Sequence, residues 1–329
     1  MMGLVSYLVF FTTIASILAI AVLGLNLQWG NTGLFNGGVV AFFGAGAYGT
    51  LLLGGTPQAD HIGGFDLFYP LALIGGAAAA GILAWVVGRL TLHLRHDYLA
   101  IATFGVAVTF ENVMRNAQGL SGGAKGLRGF NRPLEAWVND GFIYNVLFLT
   151  VVVALLICTY WFLERLICSP YGRQLRAIRE DEIAARSLGK NPGAIRLTAF
   201  ITGSCILGLA GGLYATFYAF VSPQDVLPTL TFQLWAMLIV GGAGNNRGAI
   251  FGTFLIWGTW TISGWSLARF APVEVQLYTG TMQFILIGLV IVGMLLWRPQ
   301  GLLPERLVVS QSSTKKLIKT KKGNYHDHK

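Results

Sequence analysis

Long apolar runs separated by short polar breaks dominate this chain, and the lengths of those runs decide its class. Runs near residues 4–25, 30–53, 68–88, 97–114, 142–164, 196–220, 230–243, 247–264 and 274–297 approach or exceed the roughly 20 residues that cross a bilayer as helix. Lipid satisfies no backbone hydrogen bond, so helix is the conformation they predict. The expected fold is all-α: a polytopic membrane protein with about nine transmembrane or partly re-entrant helices. The seventh run, Leu230 to Ala243, is short and breaks into Gly241-Gly242-Ala243-Gly244, as a half-helix that turns back would.

One polar stretch stands apart from this pattern. Between Ser169 and Gly189 lies a charged, helix-competent island with Arg173, Arg176, Arg179, Glu180, Asp181, Glu182 and Arg186. Pro170 supplies a start and Gly189 a stop, so a surface helix is expected over Tyr171 to Leu188. Leu175, Ile178, Ala185 and Leu188 give it an apolar stripe, and Glu182 with Arg186 makes an i,i+4 pair. Two explanations fit: a basic helix lying on anionic headgroups, or a docking surface whose small Ala184, Ala185 and Gly189 suit a protein groove.

Composition agrees with the run pattern. The chain is 54% hydrophobic and 11% charged, where a soluble domain carries about a quarter charged residues. No polar loop is long enough to build its own core, which argues against a soluble catalytic domain. The net charge of +9 is a topology signal. With nine spans, 18 of the 23 Lys and Arg fall on the island's side, the others being Arg115, Lys125, Arg128, Arg132 and Arg269. The positive-inside rule then puts the island and C-terminus in the cytoplasm and the N-terminus outside, and the charge gives no ground for nucleic-acid binding. Residues 1–305 form the transmembrane domain, with 165–195 as a cytoplasmic loop within it, and the basic tail 306–329 is expected to be disordered. The first run lacks a basic leader and reads as a retained anchor. Three cysteines suggest no disulfide framework, no metal-ligand spacing occurs, and no cofactor is expected.

Candidate path residues come from polar and glycine positions inside apolar runs. Gly30, Gly33, Gly37 and Gly44 recur near helical spacing, which ordinary small-residue packing explains. Asn26, Asn31 and Asn36 sit in or beside the same run, and a broken helix lining a solute path accounts for both facts. Glu111 is an ionisable group at the end of a span. It is read either as an i,i+4 partner of Arg115 or as an attractor for an ammonium group. Thr103, Gln233 and Gln283 read as interhelical hydrogen-bonding groups, with Gln233 also a path candidate. Asp97 is a candidate N-cap.

The pattern Gly172-Arg173-x-Leu175-Arg176-Ala177-Ile178-Arg179-Glu180-x-Glu182-x-Ala184-Ala185-x-x-x-Gly189 resembles the coupling loop of LivM-like permeases in branched-chain amino acid ABC importers. Leu25-Asn26 with Gly30 and Gly33, Phe42 to Tyr48, Asp97 to Thr103, Gly122 to Leu127 and Gly241 to Gly244 are similar to that family in the same order, over about residues 20–305. One position departs: the general importer signature has Glu before the two alanines, where this chain has Ile183. The resemblance implies a non-enzymatic permease subunit in the bacterial inner membrane. Its partners would be ATP-binding subunits that dock residues 171–189, a second related permease, a periplasmic or extracellular solute-binding protein and membrane lipid. It implies branched-chain amino acids as solute, with urea or short amides as alternatives. The competing class is an ion-coupled secondary transporter, which needs ionisable groups near the midplane, and the predicted spans hold none beyond Glu111 at an edge.

Overall fold

A computed structural model describes residues 2–57, 63–94, 96–128, 140–270, 272, 276 and 278–305; the basic tail and Arg132 lie outside the described residues. Twelve α-helices are labelled in chain order: α1 Met2–Gln28, α2 Val39–Gly54, α3 Tyr69–Thr91, α4 His96–Asn116, α5 Gln118–Ser121, α6 Gly141–Cys168, α7 Pro170–Glu180, α8 Glu182–Ser187, α9 Pro192–Tyr218, α10 Pro228–Gly241, α11 Asn246–Phe270 and α12 Thr279–Trp297. Among the described residues the only β-pairing is an isolated antiparallel bridge, Leu127 with Val221. Five helices, α1, α3, α6, α9 and α12, are long and apolar enough to cross a membrane. α2 and α10 are apolar but shorter, at 16 and 14 residues.

α1 is apolar on every side, and such a helix belongs inside a bundle. Its most apolar window is 78% buried, against 11% for α12, so α1 is the hub and α12 the rim. It packs against α6, α9, α10 and α11. In lipid no hydrophobic driving force brings one helix to another, so close packing has to hold the hub's neighbours together. Glycine supplies it where α2, α3 and α9 cross. A Cβ on Gly46 would strike the Gly208 backbone, and one on Gly211 would strike the Phe43 carbonyl. Gly76 of α3 lies so close that its Cβ would come within 2.6 Å of the Gly46 carbonyl.

Three sequence expectations change. The second run becomes helical only at Val39, so Gly30, Gly33 and Gly37 lie on an irregular segment and not along a helix face. α1 ends at Gln28, and Gly33, at φ +74°, takes a left-handed conformation that no helix through this stretch could include. The island is two helices, α7 and α8, because Asp181 leaves the helical region and its side chain caps α8 by accepting from the Ala184 amide at 2.9 Å. Leu188 therefore leaves the apolar stripe: Leu175, Ile178 and Ala185 are buried, while Leu188 is 80% exposed. Asp97 sits in the first turn of α4 instead of capping it.

Candidate functional site at the polar island

Irregular backbone at membrane depth is tolerated only where protein or a cavity satisfies it. Residues 29–38, the irregular stretch between α1 and α2, are satisfied in part by amide side chains. Asn26, fully buried, donates to Asn246 Oδ1 at 2.9 Å and accepts from the Gly244 amide at 2.8 Å, fastening the end of α1 to the α10–α11 turn. Asn31 donates to the Asn26 carbonyl at 3.2 Å. Asn36 donates to Gln28 Oε1 at 2.8 Å, and Gln28 in turn donates to the Phe200 carbonyl at 2.9 Å and to Ser204 Oγ at 3.0 Å. The Gly37 amide donates to Thr103 Oγ1 on α4 at 2.9 Å, and the Trp235 indole donates to the Asn36 carbonyl at 3.0 Å. Removing the Asn26 or Asn36 side chain strands buried partners, at about 1–3 kcal/mol each.

Aromatic rings line this break. Phe35 stacks on Trp235 with centroids 4.3 Å apart, and Trp29 meets both edge-on at 5.2 and 5.3 Å. Two cavities open beside them. One of about 540 Å³ is lined by Trp29, Gly30, Gly33, Phe35, Asp97, Ala100, Arg179 and Ala243. The other, about 470 Å³ and almost wholly apolar, shares Phe35 and Ala100 and adds Gly37, Phe104, Phe232, Trp235 and Ile239 among others. Gly30, Gly33 and Gly37 thus stand at cavity walls, whereas Asn26 and Asn36 hold the wall in place from behind.

The island itself is tied down on one face. Ser169 caps α7 by accepting from the Tyr171 amide at 3.2 Å, with Pro170 at the first helical position. Gly172 is buried against the Ile167 carbonyl, with no room for a side chain. The Tyr171 hydroxyl donates to the Ile195 carbonyl at 3.1 Å, and burial pushes that phenol up to about 12, so it stays a neutral donor. Glu182 pairs with Arg186 at 3.0 Å and with Arg196 at 2.6 Å, fixing α8 to the start of α9. Gly189 ends the island at φ +74° with open space around it.

The other face is free among the described residues. Arg173, Ala177, Glu180, Ala184 and Gly189 are exposed or half-buried, Arg176 is half-buried, and Ile183 is 79% exposed beside Leu188. Two large aliphatic side chains therefore project from a short, capped helix at the polar end of an apolar bundle. Position gave no warning of this, because Leu188 reads as a stripe residue until Asp181 breaks the helix and turns it outward.

Glu111 is buried and pairs with Arg115 one turn along α4. Gln233 carries a buried amide nitrogen without a hydrogen-bond partner among the described residues. Gln283 donates to the Trp260 carbonyl at 2.8 Å, joining α12 to α11. The described residues hold no cluster of three or more potential metal ligands.

The family described as the branched-chain amino acid transport system permease component matches residues 7–295. The chain is 33% identical over 314 residues to the high-affinity branched-chain amino acid transport system permease protein LivM of Escherichia coli, covering 89% of this chain and 69% of that one. It is 26% identical to the probable branched-chain amino acid transport permease protein LivM of Methanocaldococcus jannaschii, covering 90% and 93%. It is 21% identical to the permease protein LivH of Salmonella typhimurium, covering 74% and 80%. No solved structure matches it. A family match across nearly the whole multi-helix bundle, joined to a LivM relative at one third identity, places this chain in the branched-chain amino acid transport permease family.

Proposed function

We propose that this chain is the permease subunit of an ATP-driven importer in a bacterial inner membrane, with about nine transmembrane or partly re-entrant helices, its N-terminus outside and α7–α8 in the cytoplasm. It performs no catalysis of its own. ATP hydrolysis comes from separate subunits that dock on the exposed face of α7–α8, where Arg173, Arg176, Ala177, Glu180, Ile183, Ala184 and Leu188 meet a groove of the partner. Glu182, Gly172 and Ala185 give that face its shape from within, and the exposed Gly189 ends it. Exposure of Ile183 and Leu188 side by side on the charged α7–α8 segment supports the docking reading, since paired large aliphatic groups within a polar surface are the kind of anchor a partner's groove buries.

The solute class follows from the relatives and suits the cavities. Leucine, isoleucine and valine carry branched aliphatic side chains, and the 470 Å³ apolar cavity beside Phe35 and Trp235 is large enough to hold one. Gly37 lines that cavity and Gly30 and Gly33 the neighbouring one, with Asn26 and Asn36 as scaffold, while Gln233 lines neither and is placed on the path by its position on α10 alone. The Arg115 pair favours a helix-end role for Glu111 over solute contact. A second permease of the same family completes the pore, and a solute-binding protein delivers the amino acid at the outer face. Affinity purification from mildly solubilised membranes tests the assembly: an ATPase and a second permease are expected to co-purify. Recovery of the chain alone, from cells that still take up leucine without any ATPase, contradicts it.

A further inference from the structure

One arginine joins three segments that are far apart in sequence. Arg179 lies on α7, just before the Asp181 break that starts α8. One guanidinium nitrogen donates to the Gly30 carbonyl, and another donates to both carboxylate oxygens of Glu305 at 3.1 and 2.9 Å. Its stem lies against Gly33, where a Cβ would come within 3.0 Å of Arg179 Cγ. Glu305 follows two residues after a stretch pinned to the C-terminal end of α10, where the Leu302 and Leu303 amides donate to the Val240 and Gly241 carbonyls, both at 3.0 Å. Glu305 also abuts the α10–α11 turn, since a Cβ on Gly244 would lie 2.9 Å from its carboxyl carbon.

The plain explanation is static packing of a loop, and two facts weigh against it. The guanidinium is divided between two segments, Gly30 on one side and Glu305 on the other, so it ties their positions to α7 together instead of fastening one loop. What it grips is the irregular stretch 29–38, whose few backbone hydrogen bonds, such as Gly33 to Trp29 and Leu34 to Gln28, both at 2.8 Å, form no continuous helical ladder, so it is the least regular part of the wall. Arg179 also lines the 540 Å³ cavity together with Trp29 and Phe35. The planar guanidinium is suited to this because it grips a carbonyl and a carboxylate at once, which a lysine ammonium does with less directional control.

We infer that Arg179 is the positioning residue through which displacement of α7–α8 moves the 29–38 segment and so reshapes the cavity behind it, with Glu305 holding the guanidinium on Gly30. This role rests on the docking reading above. It is a role in coupling, separate from solute contact or ATPase docking.

The test uses the whole importer complex in proteoliposomes, with ATP hydrolysis and radiolabelled leucine uptake measured together for Arg179→Ala, Arg179→Lys and Glu305→Gln. In Arg179→Ala, uptake per ATP falls about tenfold while KM for leucine stays within about twofold and the ATPase still co-purifies. Arg179→Lys recovers part of the ratio, and Glu305→Gln, which leaves Gly30 contacted, loses about threefold. A purely structural contact would lower the amount of complex and leave uptake per ATP in the surviving complex unchanged, which overturns the inference. Should Arg179→Ala fail to assemble, an unaltered ratio in Glu305→Gln overturns it equally. A wild-type complex that lacks an ATPase defeats the docking reading instead, so the two failures are distinct.

Discussion

Leucine in place of Gly211 is expected to abolish accumulation of the folded chain. Gly211 of α9 faces the Phe43 carbonyl of α2 so closely that a Cβ has no space, and the neighbouring crossing of Gly46 with Gly208 leaves α2 no room to retreat. Overpacking against backbone, which cannot rotate away as a side chain does, costs more than about 3 kcal/mol. Helix association in lipid depends on this packing, so the loss is not recovered elsewhere. Gly105 provides the control: it lies on α4 with nothing within 4 Å of its would-be Cβ, and Gly105→Leu is expected to accumulate normally. Size-exclusion profiles of the detergent-solubilised variants check both, and a wild-type peak for Gly211→Leu would be wrong for this fold.

Aspartate at Ile183 and Leu188 together is expected to leave the bundle intact and lower ATPase co-purification and uptake by about 100-fold or more. The two aliphatic groups touch little within the chain, being 79% and 80% exposed, so the substitution costs the isolated permease almost nothing. At a desolvated interface it replaces apolar anchors with unpaired carboxylates, which is costly. Bulky substitution at Ala185 is a poorer probe, because Ala185 is buried against its own chain and folding suffers first. Membrane abundance and co-purified ATPase, measured on the same preparation, separate the two effects.

Much of this architecture was legible because span length and lipid chemistry leave few choices. The runs at 68–88, 142–164 and 196–220 coincide with most of α3, α6 and α9, and the island begins at Ser169-Pro170 and ends at Gly189 as its residue chemistry requires. The break at Asp181 also had a local signal, since Asp is a strong N-cap and Ala184 offers the amide it accepts from, but continuous apolar periodicity pointed the other way. Gly30, Gly33 and Gly37 left two readings open, a helix face and a broken helix. Helical spacing suggested one helix face, whereas the left-handed Gly33 and the side chains of Asn31 and Asn36 make the stretch irregular.

Long-range contacts were beyond reading. Nothing near Arg179 announces Glu305, 126 residues away, and nothing near Asn26 announces Asn246. Trp235 and Gln28 likewise gain their roles only when α10 and α9 are brought beside the break. The exposure of Ile183 depends on which face of α8 the Glu182–Arg196 pair holds down, and that pair spans a turn between two helices.

A photo-reactive amino acid at Leu188, activated in living cells, tests the docking claim most directly. The expected product is a covalent adduct between this chain and an ATP-hydrolysing subunit, lost when Asp181→Pro disrupts α8. Adducts to lipid alone, or reaction of a Leu188→Cys variant with a membrane-impermeant thiol reagent added outside, would contradict it.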